Sequence, residues 1–180
     1  RVDKLLLGGA MIFTFYKAQG LEIGNSKHED DFIELAKEIL AEAGDRIVLP
    51  KDIVVAEEIS EDAASKTVSY DAIPQGWIGL DIGPASIAEF KEIVSSAKTV
   101  VWNGPLGLFE IEKFAKGTVE IAKVLAETNA KSIVGGGDSA AALEKFHLAD
   151  KVFHVSTGGG ASLQFLEGTP LPGLVALEQN

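Results

Sequence analysis

Short apolar runs that end in glycine or proline alternate with amphipathic segments along this chain, and that rhythm admits few folds. Strand patterns that take turns with helix patterns imply a parallel sheet covered by helices. Lys4 to Leu7 reads as a buried strand, and Gly9 to Gln19 as a helix stopped by Gly20. His28 to Ala43 reads as a helix with Phe32, Leu35, Ala36, Ile39, Leu40 and Ala43 on one face and Gly44 as its C-cap. Arg46 to Leu49 is a strand that Pro50 ends. The β-branched, acidic stretch from Asp52 to Ile73 predicts short strands at the edge of the sheet.

Regular alternation then resumes. Strands are expected at Trp77 to Asp81, Lys98 to Trp102, Ser132 to Val134 and Lys151 to Val155. Helices are expected at Pro84 to Ser96, near Ile111 to Thr128, at Asp138 to Phe146 and at Ala161 to Leu166. In the first of these, Ile87, Phe90, Val94 and Ala97 share a face. The fold class expected is doubly wound α/β: a mainly parallel, Rossmann-like sheet with helices on both faces and a small β-rich edge segment. One domain over residues 1–180 would hold it, with about 52–73 as the β-rich excursion.

Charge narrows the partners. The net charge is −11, and between Glu29 and Asp62 there are 12 acidic residues against 3 basic. Nucleic acid backbone needs clustered Lys and Arg, so no nucleic acid is expected. An anionic ligand must bind where backbone dipoles or a metal reverse this field locally. No apolar run reaches the roughly 18 residues of a membrane span, so no membrane partner is expected either. The absence of cysteine excludes disulfides and thiolate zinc sites, and fits a cytoplasmic protein. The chain opens at Arg1 and enters the run Leu5-Leu6-Leu7 almost at once, which suggests a piece of something longer.

Ligands of open parallel sheets bind beyond the carboxyl ends of the strands. Four such ends are glycine-rich: Gly8-Gly9, Asn103-Gly104-Pro105-Leu106-Gly107, Gly135-Gly136-Gly137 and Thr157-Gly158-Gly159-Gly160. One such turn says little, because glycine also serves tight turns and caps. Four at one edge of one sheet would make a floor of backbone N–H groups suited to phosphates and flat rings. In Gly135-Gly136-Gly137-Asp138-Ser139, Asp138 and Ser139 fall in the first helical turn. Asp138 could simply cap that helix. It could also hold Mg²⁺, which takes one or two carboxylates together with substrate phosphate oxygens. No Lys or Arg lies in any of the four loops, so phosphoryl transfer would need cations from elsewhere.

Other motifs are missing. There is no Walker A sequence, no GxGxxG fingerprint and no GxSxG elbow. His28, His147 and His154 share no metal-ligand spacing, and Trp77 and Trp102 read as core residues. A nicotinamide-dependent dehydrogenase would fit the fold class but lacks its fingerprint.

Five segments carry a resemblance: KLLLGGAMIFTFYKAQG from Lys4, GWIGLDIGP from Gly76, TVVWNGPLGLFE from Thr99, IVGGGDSAAA from Ile133 and HVSTGGGASLQFLEG from His154. With Leu171-Pro172-Gly173 near the end, they resemble phosphoglycerate kinase over essentially the whole chain and in family order. The resemblance implies that Gly8, Gly9, Gly79, Leu80 and Leu108 face an adenine. It puts Asn103, Pro105 and Gly107 along the adenosine and phosphate path and Glu110 on the ribose. Gly136 and Gly137 would cradle phosphates, Asp138 would hold the magnesium, and Ser139 would touch the phosphates. Gly137, Gly158, Gly159 and Gly160 would serve the phosphoryl group in transit.

The implied activity is reversible phosphoryl transfer between 1,3-bisphosphoglycerate and ADP, giving ATP and 3-phosphoglycerate, by a glycolytic monomer. In that family an N-terminal domain binds the phosphoglycerate, and phosphate-binding lysines precede the position of Arg1. Lys4 and Lys17 match other positions. An alternative for the chain alone is a nucleotide-binding module without turnover.

Overall fold

The computed structural model describes residues 2–156 and 158–178. The chain divides into two compact units, Arg1–Val94 with Pro105–Ile121, and Ser95–Gly104 with Ala122–Asn180.

The first unit holds two sheets. Strands β1 (Leu5–Leu6) and β2 (Ile47–Val48) pair in parallel. Strand β3 (Asp52–Ala56) lies between β4 (Ser65–Ser69) and β5 (Ile78–Ile82), antiparallel to both. As the central strand, β3 buries Ile53 and Val55 completely, whereas β4 is an exposed edge. Helix α1 (Met11–Ala18) is buried through Ile12, Phe13, Thr14, Phe15 and Tyr16, and its Tyr16 hydroxyl donates to the Pro50 carbonyl at 2.7 Å. Burial pushes the Tyr16 hydroxyl well above the usual phenolic range. Helix α2 (Ile33–Ala43) ends at Gly44, as expected.

Helix α3 (Pro84–Ser96) starts where a capping acid and a proline meet. Asp52 on β3 accepts the Ser86 N–H at 2.8 Å and the Ala85 N–H at 3.0 Å, which satisfies two of the first-turn donors. Proline at the first helical position gives up no bond there. Ile87 and Phe90 on α3 join Ile82, Leu106 and Ile121 in one buried cluster.

The second unit is built on β6 (Thr99–Asn103), β7 (Lys131–Gly135) and β8 (His154–Ser156), all parallel and in that order. Helix α4 (Lys116–Glu127) begins in the first unit and ends in the second. Helices α5 (Gly137–Lys145), α6 (Gly159–Glu167) and α7 (Pro172–Glu178) complete it.

The expected α/β class holds, with parallel sheets, flanking helices and a small antiparallel sheet. Three details differ. The parallel pairing lies in two sheets instead of one, because β5 pairs antiparallel with β3. The acidic segment after Asp52 therefore builds that separate sheet and does not edge the parallel one. On α2 the apolar stripe is only partly covered: Ala36 is buried, but Leu35 and the preceding Phe32 are exposed. Periodicity fixes which residues share a face, not what lies against it. Among the described residues, no helix is long and apolar enough to cross a membrane.

Candidate functional site

In the second unit three of the glycine loops follow strands whose ends lie level. Asn103 pairs with Gly135, and Gly135 with Ser156. The next residues are Gly104, Gly136 and Thr157, of which Thr157 lies outside the described residues. Gly136 has φ 93° and is the N-cap of α5, and Gly158 is the N-cap of α6. Neither helix start has a side-chain cap, and uncapped first-turn N–H groups of this kind suit an anion.

The two helix starts come into backbone contact. A Cβ built on Gly159 would lie 2.5 Å from Gly136 Cα and 2.8 Å from its N; no side chain fits there. Asn103 sits beside this junction: its Oδ1 would be 2.9 Å from a Cβ on Gly136 and 3.5 Å from one on Gly159. Gly137 and Gly160 have open space around them. The result is a cluster of amide dipoles from two helices, each end equivalent to roughly half a positive charge.

Asp138 is exposed in the first turn of α5. The described residues contain no group of three or more His, Cys, Asp or Glu able to hold a metal. A single carboxylate beside uncapped amides suits a cation shared with phosphate oxygens, which is the usual arrangement for Mg²⁺. The residues therefore fit a magnesium ion that arrives with its ligand.

Ser139 follows Asp138 in the same turn. It is completely buried, and its Oγ accepts the Gly104 N–H at 2.7 Å, so it braces the β6 loop against α5. The Trp102 indole N–H on β6 donates to the Gly104 carbonyl at 2.6 Å, so both polar groups of Gly104 are held. Trp102 is core, as expected, while Trp77 is only partly buried, just before β5, under the Lys66 ammonium.

The remaining expected residues lie in the first unit. The Gly9 N–H donates to the Leu106 carbonyl at 3.0 Å, and Gly8 packs on the Leu106 side chain. Leu106 N–H in turn donates to the buried Thr118 hydroxyl at 3.0 Å. The Leu108 N–H donates to the Leu80 carbonyl at 2.8 Å. Leu80 and Leu108 pack with Ala56, Ala63 and Phe114, and Gly79 sits against the Phe13 ring. Pro105 and Gly107 lie on this same segment, and Glu110 is exposed at its end. Thus Gly8, Gly9, Leu80, Pro105, Gly107 and Leu108 are brought together by backbone bonds and close packing.

A residue missed from the sequence lies beneath them. Asp81 on β5 is 3% exposed, and burial pushes its carboxyl up to about 7 although the backbone N–H groups of Gly117, Ile82 and Lys116 favour its charge. An acid within the otherwise apolar run Ile78 to Ile82 is the signal that could have found it. Lys4 and Lys17 are occupied elsewhere, Lys4 on the Asp45 carbonyl and Lys17 on Asp30 and His28. Lys17 holds the exposed Asp30 carboxyl below its usual range.

Comparison with known proteins identifies the family. The family model described as phosphoglycerate kinase matches residues 1–169. A phosphoglycerate kinase of Levilactobacillus brevis is 58% identical over 178 residues, 98% of this chain and 44% of that protein. The cytosolic phosphoglycerate kinase 3 of Arabidopsis thaliana is 56% identical over 99% of this chain and 46% of its own length. The structure of phosphoglycerate kinase from Coxiella burnetii superposes with a TM-score of 0.89 at 45% identity, covering 94% of this chain and 45% of the other. That from Pyrococcus horikoshii OT3 gives 0.85 at 34% identity. The chain spans less than half the length of the relatives it matches, and over that span it belongs to the phosphoglycerate kinase family.

Proposed function

We propose that this chain binds ADP or ATP with magnesium and is the nucleotide-binding part of a cytoplasmic enzyme that transfers a phosphoryl group reversibly between 1,3-bisphosphoglycerate and ADP. The observation that carries the reading is the pair of uncapped helix N-termini, α5 and α6, in backbone contact at Gly136 and Gly159, with Asp138 beside them. Amides fixed in this way favour anions, most of all an oxygen on which charge develops. The cytosolic relatives from Arabidopsis thaliana and wheat support the compartment.

In the forward direction a β-phosphate oxygen of ADP attacks the phosphorus of the acyl phosphate. The new P–O bond forms as the bond to the acyl oxygen breaks, and 3-phosphoglycerate leaves as its carboxylate. No proton need move, so catalysis is positioning and charge stabilisation. The Gly136, Gly137 and Gly158 to Gly160 amides would hold the phosphates and the transferring group. Ser139 holds the Gly104 loop in place, and Asn103 lies beside the junction of the two helix starts. Asp138 would hold magnesium, which neutralises phosphate charge when bound. Gly8, Gly9, Gly79, Leu80, Pro105, Gly107 and Leu108 would receive the adenosine, and Glu110 the ribose hydroxyls. The phosphoglycerate would be bound by the part of the longer relatives that this chain does not span.

Calorimetric titration of ADP, with magnesium and then with EDTA, tests the reading. Binding that magnesium strengthens and Asp138→Ala weakens supports it; no binding by a folded sample refutes it. A coupled turnover assay then separates an active enzyme from a nucleotide-binding module, which would bind without turning over.

A further inference from the structure

The Asp81 carboxylate fills a space left by two glycines. Its Oδ1 accepts the Ile82 N–H at 2.9 Å and its Oδ2 the Gly117 N–H at 2.8 Å, and the Lys116 backbone N–H adds a third bond. A Cβ on Gly107 would lie 2.2 Å from Oδ1, and one on Gly117 2.5 Å from it. Either side chain would evict the carboxylate. From this geometry we infer that Asp81 is a positioning residue for the segment Pro105 to Glu110, and through that segment for the adenosine end of the nucleotide. The inference rests on the nucleotide-binding reading given above.

The connection is a short run of bonds. Asp81 holds the first turn of α4 through Lys116 and Gly117. The next residue, Thr118, holds the Leu106 N–H, and the Leu106 carbonyl holds the Gly9 N–H. On the other side, Leu80, adjacent to Asp81, holds the Leu108 N–H. Removing the carboxylate would free the α4 start and the underside of Gly107 together.

Its chemistry suits that task and no smaller one. Three amide donors favour an ionised acid; an Asn in its place would turn its NH₂ toward one of them. A buried carboxylate is costly to keep, and burial pushes this one up to about 7. Lys116 on α4 faces it and favours its charge. On the segment leading into α4, Lys113 is held by the Ala63 carbonyl, the Glu112 N–H bonds Glu61, and Glu110 is the remaining charged residue. Protonation would take one acceptor oxygen from the three amides. The hold on the segment therefore weakens as the pH falls through about 7.

Adenosine is the probe, since it has no phosphate and no group that titrates near neutrality. We would titrate it calorimetrically into the native chain and into Asp81→Asn from about pH 6 to about pH 8. The native chain should lose about tenfold in affinity on acidification, while the variant binds about tenfold more weakly at the upper pH and shows no midpoint. Loss of the midpoint in the variant assigns it to Asp81 and not to His28, His147 or His154. A variant with native affinity and native pH profile overturns the inference. Where the variant fails to fold, the native profile decides, and a flat one overturns it. Magnesium-dependent ADP binding with a flat adenosine profile removes this inference alone. A native chain that binds neither ligand removes the nucleotide reading and this inference with it.

Discussion

Replacing Gly159 with alanine tests the contact between the two helix starts. The added methyl would lie 2.5 Å from Gly136 Cα and 2.8 Å from Gly136 N, where carbon atoms prefer about 3.5–4.0 Å. Both obstacles are backbone, so no rotamer change relieves the overlap. The start of α6 must move by roughly 1 Å, or the Gly136 turn must give way. Such overpacking costs about 1–3 kcal/mol. Gly160→Ala is the matched control, because nothing lies within 4 Å of its added Cβ. Alanine gains helix propensity over glycine in both variants, so the difference between them isolates the overlap. In urea unfolding, Gly159→Ala should therefore be less stable than Gly160→Ala by about 1–3 kcal/mol. If the two helix starts form the proposed anion cradle, a shift of that size should also weaken ADP more than adenosine. Equal stability for the two variants, with unchanged ADP affinity in Gly159→Ala, would refute the close approach and the phosphate role derived from it.

Three further outcomes are expected. Tyr16→Phe leaves the buried Pro50 carbonyl without its 2.7 Å donor and should cost about 1–3 kcal/mol in chemical denaturation. Asp52→Ala removes the acceptor for Ala85 and Ser86 at the start of α3 and should cost about 1–2 kcal/mol by the same measurement. For Asp81 the sign runs against the usual carboxylate. Its folded pKa rises from an ordinary 3.8 to about 7, so the native state binds the proton more tightly than the unfolded chain. The stabilisation is full below about pH 4 and is lost as the pH rises to about 7, by at most about 4 kcal/mol. Unfolding free energies measured across that range should show this slope in the native chain and not in Asp81→Asn.

The legible parts of the fold are those with local causes. Helix α3 runs from Pro84 to Ser96 as read from the sequence, because a proline marks its start and its buried Ile87, Phe90 and Val94 repeat at helical spacing. The three loops after β6, β7 and β8 were legible because glycine at strand ends is a local signal. What the sequence left open depends on partners distant in the chain. No local pattern says that β5 pairs with β3 some 25 residues earlier, or that Phe32 and Leu35 stay uncovered. Helix α7 goes unread past Leu166, although Pro172 opens it in the favoured first position. Ser139 reads as a phosphate contact from its place after Asp138. Its full burial under the Gly104 amide appears only when β6 and β7 are brought side by side.

The division of labour at the proposed phosphate end follows from charge. Two helix ends supply the equivalent of roughly one positive charge, and Asp138 subtracts one. The amides alone therefore leave a multiply charged nucleotide uncompensated in a chain of net charge −11. On the proposed reading, magnesium would turn Asp138 from a repulsive neighbour into an anchor, because the ion's charge exceeds that of the single carboxylate that would hold it. A cap-only role for Asp138 would leave ADP affinity indifferent to magnesium at this carboxylate and would make Asp138→Ala bind the anion better, by removing the repulsion. The metal role requires the opposite sign. Direction of change, more than its size, decides between the two roles that the position of Asp138 in the sequence allows.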